Sequence, residues 1–138
     1  MDSLRMPAKL DSLSSFNAFV IRKIDQWELP REIIPKIELV LEELITNVFK
    51  YAYPGQNGDL ELECSSRGTG LSIILRDWGA PFNPLEQNSP DISEDISQRK
   101  IGGLGIYLVK EMVEKLEYRR QDDSNILSFC IHPDSRTS

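Results

Sequence analysis

Two rhythms of apolar residues run along this chain. In the first, apolar residues recur every three or four positions. Ile33, Ile37, Val40, Leu41, Leu44, Ile45 and Val48 follow it and share one face of a helix. The predicted helix is long and amphipathic, covering residues 38–53 and starting near Pro35, since proline is tolerated in a first turn and not in a helix interior. The turn 31–34 is therefore expected to be kinked or separate. Leu13, Phe16, Phe19, Val20 and Ile24 predict an earlier helix running to about Trp27, capped by Asp11 or Ser12. Leu108, Val109, Met112, Val113 and Leu116 predict a third over 104–116.

The second rhythm has a period of two, the spacing of strands. Leu60, Leu62 and Cys64 alternate with Glu61, Glu63 and Ser65. Arg67-Gly68-Thr69-Gly70 reads as a hairpin turn, and 71–77 as the returning antiparallel strand. Leu4-Arg5-Met6 predicts a short first strand, 117–121 a fourth, and 126–132 a last one, with Asp122-Asp123-Ser124-Asn125 as the turn between the final two. Between Trp78 and Gly103 the pattern stops. Pro81, Pro84 and Pro90 stand among Asp, Ser and Asn, and a loop this long in a compact domain usually serves a function, often as a lid. The expected fold is α+β: a two-layer sandwich with a mixed, mostly antiparallel sheet of about five strands, about three helices on one face, and a long lid. One domain over residues 3–133 and a polar tail over 134–138 are expected.

Composition narrows the function. With 138 residues the chain has room for one core. A formal net charge of −6 argues against nucleic acid or an anionic membrane as partner. No apolar run reaches membrane-span length. Two cysteines and a single His make neither a zinc site nor a disulfide framework, so Cys64 and Cys130 are expected as reduced core residues of a cytoplasmic protein.

Three stretches carry chemistry. Glu43 and Asn47 are four apart, so they stack at the rim of the central helix's apolar stripe, with Lys50 one turn further and Glu42 facing solvent. A carboxylate there can deprotonate a hydroxyl, and an amide oxygen can ligate a hard cation such as Mg²⁺. Asp77-Trp78-Gly79-Ala80-Pro81-Phe82 follows a strand. Its carboxylate can accept from an exocyclic amine, while Gly79 lets a flat ring approach. Gly102-Gly103-Leu104-Gly105 stands just before a helix, where free backbone N–H groups can converge on an anion. It is neither the dinucleotide-binding pattern nor the P-loop.

That ordered set resembles the ATP-binding fold shared by gyrase, heat-shock chaperones, histidine kinases and mismatch-repair ATPases. Within it the chain is most similar to the small stand-alone anti-sigma-factor serine/threonine protein kinases. The resemblance rests on Glu43-Leu44-Ile45-Thr46-Asn47-Val48-Phe49-Lys50-Tyr51-Ala52-Tyr53, on Leu75-Arg76-Asp77-Trp78-Gly79-Ala80-Pro81-Phe82-Asn83-Pro84, and on Gly102-Gly103-Leu104-Gly105-Ile106-Tyr107-Leu108-Val109. It implies ATP and Mg²⁺ as cofactors. Glu43 would be the general base on a seryl or threonyl hydroxyl, Asn47 the Mg²⁺ ligand, and Asp77 the acceptor for the adenine amine. Gly79 and Phe82 would line the adenine pocket. Gly103, Leu104 and Gly105 would hold the phosphates as a lid over 83–101 closes, and Lys50, Lys100 and Lys110 would offset phosphate charge. The implied partners are a small antagonist protein of the anti-anti-sigma type as substrate, a sigma factor, and a second copy in a homodimer. One departure bears on the protein partner alone: Asn17-Ala18-Phe19-Val20 carries Asn where the family usually has Arg. Two readings stay open, a protein serine/threonine kinase and a nucleotide-dependent binding switch with little or no kinase activity.

Overall fold

The computed structural model describes residues 2–86 and 101–133, the first four residues of its last helix by backbone alone. Five strands and three helices follow one another as β1 (Asp2–Pro7), α1 (Leu13–Gln26), α2 (Ile34–Asn47), β2 (Asp59–Arg67), β3 (Gly70–Asp77), α3 (Ile101–Met112), β4 (Glu114–Gln121) and β5 (Ser124–Ile131). The architecture is α+β, as the two rhythms predict. The sheet order is β1-β2-β3-β5-β4, and every pairing is antiparallel rather than mixed.

One face of the sheet meets the helices. Leu60, Leu62, Leu71, Ile73, Leu75, Phe129 and Ile131 are buried there in a single core with Phe16, Val20 and Ile24 of α1 and Ile37, Val40, Leu41, Leu44 and Ile45 of α2. A central helix packed on two sides needs a broad apolar stripe, and α2 supplies it. Cys64 and Cys130 are both buried free thiols, and burial pushes the Cys64 thiol up to about 11. Among the described residues no helix is long and apolar enough to cross a membrane.

One boundary falls as expected and others differ. The turn Arg31–Ile33 is separate and tighter than an α-turn, as Pro35 demands, and Pro35 sits in the first turn of α2. At its other end α2 stops at Asn47, short of residue 53, and the chain widens into a π turn over Val48–Ala52, closed by the Tyr53 amide on the Val48 carbonyl at 3.2 Å. Such widened turns occur often at functional sites. Helix α3 begins at Ile101, so Gly102, Gly103 and Gly105 lie inside the helix and not before it. It also ends at Met112, and β4 starts three residues earlier than expected. Lys115 takes a left-handed φ of 56° there, and the strand pairing slips between Glu114 and Glu117. Finally, β5 starts at Ser124, which moves Asn125 out of the turn and into the sheet.

Strand register places the site. The row Met6–Leu60–Asp77–Asn125–Arg120 crosses all five strands at one end of the sheet. Asp77 lies two residues after Leu75 and Asn125 two residues before Leu127, so both project on the helix-covered face. The sheet thus presents a polar pair where the rest of its inner surface is apolar.

Candidate active site

Asn47 closes the last regular turn of α2. It is 1% exposed, and among the described residues neither its Oδ1 nor its Nδ2 makes a hydrogen bond of normal geometry. A buried amide with nothing to bond is uncommon and costs the desolvation of both ends. One turn earlier lies Glu43, partly buried, with its Oε2 enclosed and unpartnered. Burial raises the Glu43 pKa above the usual carboxylate value; the neighbouring Asn47 side chain and the charge of Lys50 pull it part of the way back. Glu42 faces solvent, as the helical spacing predicts, and Lys50 is exposed on the π turn.

The second half of the site is built on the sheet. Asp77 is buried, and its Oδ1 accepts two hydrogen bonds, from the Asn125 side-chain amide at 2.8 Å and from the Gly79 N–H at 3.0 Å. Burial again raises the pKa, and those bonds with the charge of Arg120 offset part of the rise. Asn125 also donates to the Ala80 carbonyl at 2.9 Å and accepts from the Tyr118 hydroxyl at 2.5 Å and the Phe82 N–H at 3.2 Å. Asn47, Asp77 and Asn125 line one cleft with Phe82, Pro84 and Leu127. Asn125 and Tyr118 are absent from the residues singled out in the sequence. Their position follows from the pairing of β3 with β5 and of β5 with β4, which no local pattern encodes.

The loop after β3 is pinned to the end of α2. The Ala80 N–H donates to the Ala52 carbonyl at 2.7 Å, the Trp78 N–H donates to the Tyr53 hydroxyl at 2.8 Å, and Phe82 stacks on Tyr51 with ring centroids 4.9 Å apart. A Cβ on Gly79 would stand 2.3 Å from the Ala52 carbonyl oxygen. The close approach at Gly79 is therefore made by the backbone of the π turn on that side, and Gly79 itself does not line the cleft. At Gly105 a Cβ would stand 2.0 Å from the Glu43 carboxylate. That contact explains why this glycine lies inside a helix: α3 packs against α2 where the acid needs the space. Glu43 consequently opens on a groove between α2 and α3, with Leu39, Leu108 and Met112, rather than on the cleft that holds Asn47 and Asp77. Leu108, on the apolar stripe of the third helix, is 37% exposed along this groove. Gly103 and Leu104 lie in the first turn of α3. Lys110 donates to the Leu85 carbonyl at 3.4 Å. Lys100 and most of the 83–101 segment lie outside the described residues.

The donor set suits a hard cation held partly by a ligand. Mg²⁺ commonly takes one or two protein oxygens and completes its shell with phosphates and water. Asn47 Oδ1 is such an oxygen, already desolvated and unbonded. Among the described residues no three His, Cys, Asp or Glu side chains converge into a dedicated metal cage. The arrangement offers one oxygen ligand, one buried acceptor at Asp77, and one carboxylate of raised basicity a turn away from the ligand.

Residues 6–131 match the family described as the histidine kinase-like ATPase domain. The chain is 26% identical over 97 residues to the serine/threonine-protein kinase BtrW of Bordetella bronchiseptica, covering 70% of this chain and 68% of that one. It is 25% identical over 120 residues to the serine-protein kinase RsbW of Listeria monocytogenes, covering 83% and 76%. It is 21% identical over 128 residues to the serine-protein kinase RsbW of Bacillus thuringiensis, covering 90% and 80%. A family match over nearly the whole chain, on a five-stranded sheet with three helices, establishes the relationship: the protein belongs to the histidine kinase-like ATPase domain family.

Proposed function

We propose that the protein is an ATP-dependent protein serine/threonine kinase that phosphorylates a small antagonist protein in a partner-switching pathway. The observation that carries this reading is Asn47: a buried amide with both ends unbonded, one turn from a carboxylate whose basicity is raised. In this reading Asp77 accepts from the adenine amine, and Phe82 lines the adenine pocket. Gly79 shapes the loop that carries them. Asn47 Oδ1 would hold Mg²⁺, which when bound would supply positive charge to the phosphates. The backbone of Gly103, Leu104 and Gly105 faces the phosphates, and Lys50 and Lys100 add positive charge. The acceptor hydroxyl attacks the γ-phosphorus, the bond from that phosphorus to the bridging oxygen of ADP breaks, and the hydroxyl proton passes to the Glu43 carboxylate. The names of the relatives, one serine/threonine-protein kinase and one serine-protein kinase, support a seryl or threonyl acceptor. A sigma factor as second partner, a homodimer and a cytoplasmic setting belong to the same reading.

One observation favours a second reading, a nucleotide-dependent binding switch. Glu43 opens on the α2–α3 groove, not on the cleft with Asn47 and Asp77. Single-turnover transfer from γ-labelled ATP to candidate small antagonist proteins separates the two. The kinase reading expects label on one of them and a loss of at least about a hundred-fold in Glu43→Gln, the scale of general-base removal. Nucleotide binding with no transfer to any of them supports the switch.

A further inference from the structure

We propose that Asn125 is a positioning residue that makes Asp77 a one-sided acceptor and thereby sets the base preference of the cleft. This inference rests on the reading of the cleft as an ATP site. A side-chain amide has two N–H donors and an oxygen with two lone pairs. In Asn125 all four are used: Nδ2 donates to Asp77 Oδ1 and to the Ala80 carbonyl, and Oδ1 accepts from the Tyr118 hydroxyl and the Phe82 N–H. Although Asn125 lines the cleft, it has nothing left to offer a ligand and acts on one only through Asp77.

The same four bonds fix which way the amide points. Turning it over would set Oδ1 against the Asp77 carboxylate and the Ala80 carbonyl, oxygen against oxygen, and Nδ2 against the Phe82 N–H. Both bonds to Asp77 converge on Oδ1, and among the described residues none reaches Oδ2. An ionised carboxylate is acceptor-only. The free oxygen therefore favours a ring that presents an exocyclic amine and disfavours one that presents a carbonyl. A buried carboxylate held from one side by two donors cannot rotate to serve both rings equally. Tyr118 is the outer support of this device, because its hydroxyl holds the amide from the side away from Asp77. Asn125→Asp keeps the shape of the side chain and removes both donors, placing a second carboxylate against the first.

The experiment is calorimetric titration, with Mg²⁺ present, of ATP and of purine riboside triphosphate, which lacks the 6-amine, into the wild type, Asn125→Asp, Asn125→Ser and Tyr118→Phe. The wild type should prefer ATP by about ten-fold or more, the scale of a hydrogen bond to a charged group. In Asn125→Asp the ATP affinity should fall by about as much while the affinity for the amine-free analogue stays within about two-fold, so the preference collapses. Asn125→Ser and Tyr118→Phe should reduce the preference in the same direction by less, and they carry the test should the aspartate variant not fold. Equal losses for both nucleotides in the Asn125 variants would assign Asn125 a purely structural role and overturn the proposal, as would variants that keep the full preference. A wild type that does not distinguish the two nucleotides overturns the adenine reading itself, and this assignment with it.

Discussion

Asn47 is costly to a protein that binds nothing. Each unsatisfied buried polar group costs about 1–3 kcal/mol, so an apolar side chain of similar size should be better tolerated than the native amide. Asn47→Leu is expected to raise the stability of the nucleotide-free protein by about 1 kcal/mol in urea unfolding and to abolish the Mg²⁺ dependence of ATP affinity. A destabilised variant would mean that the amide is satisfied in solution. Glu43 makes the same trade through its proton. Its folded-state pKa lies above the ordinary value, so the folded protein binds that proton more tightly than the unfolded chain. The associated stability is complete below the ordinary carboxylate range and is lost as pH rises through the elevated folded value. Glu43→Gln should therefore melt higher than wild type at pH 7, with the gain fading as the pH is lowered toward 4; a gain that instead grows on acidification would contradict the burial argument. The positions of Glu43, Asn47 and Asp77 on their elements were legible in the sequence because helical spacing and a strand end place them locally. Asn125 was not, because its partner Asp77 is 48 residues away and the acidic pair before it reads as a turn.

At the scale of elements, the site depends on two close approaches between backbone segments. The first is Gly79 against the π turn after α2, where a methyl group would meet a carbonyl oxygen that cannot move aside. Gly79→Ala is expected to cost about 1–3 kcal/mol in urea unfolding, the scale of overpacking; an unchanged midpoint would show that the loop is free to lift. The second is Gly105 against Glu43. There the obstacle is the end of a flexible side chain, so Gly105→Ala should change stability little but displace the carboxylate, lowering phosphotransfer with ATP affinity kept. Both elements were misjudged in outline from sequence for one reason. Glycine costs a helix about 1 kcal/mol, so a glycine-rich run reads as a break before a helix. Contact with α2 overrides that preference at Gly105. The apolar period likewise runs on past Asn47 and gives no sign that the helix widens there. The strands were clearer, because alternation is a local signal and the covered face is apolar outside the Asp77–Asn125 end; β4, with its slipped register at Lys115, was the exception.

At the scale of the molecule, an open antiparallel sheet covered by helices on one side has its polar pair at the end of the row where β3 and β5 finish and start. That is where the segment after β3 leaves the sheet and where α2 ends, so three elements meet without any of them being interrupted. The chain carries a formal charge of −6 and its cleft holds a buried carboxylate, which by itself repels a polyphosphate. A cation would offset that repulsion, and on the proposed reading the Asn47 oxygen would be its ligand. The most direct measurement is calorimetric titration of ATP and GTP into the wild-type protein, each with Mg²⁺ and with the metal chelated. The predicted result is ATP binding that is at least about ten-fold tighter than GTP binding and that weakens when Mg²⁺ is removed. Equal affinity for the two nucleotides, or binding of neither, would contradict the assignment of Asp77 and Asn47 to one ATP site.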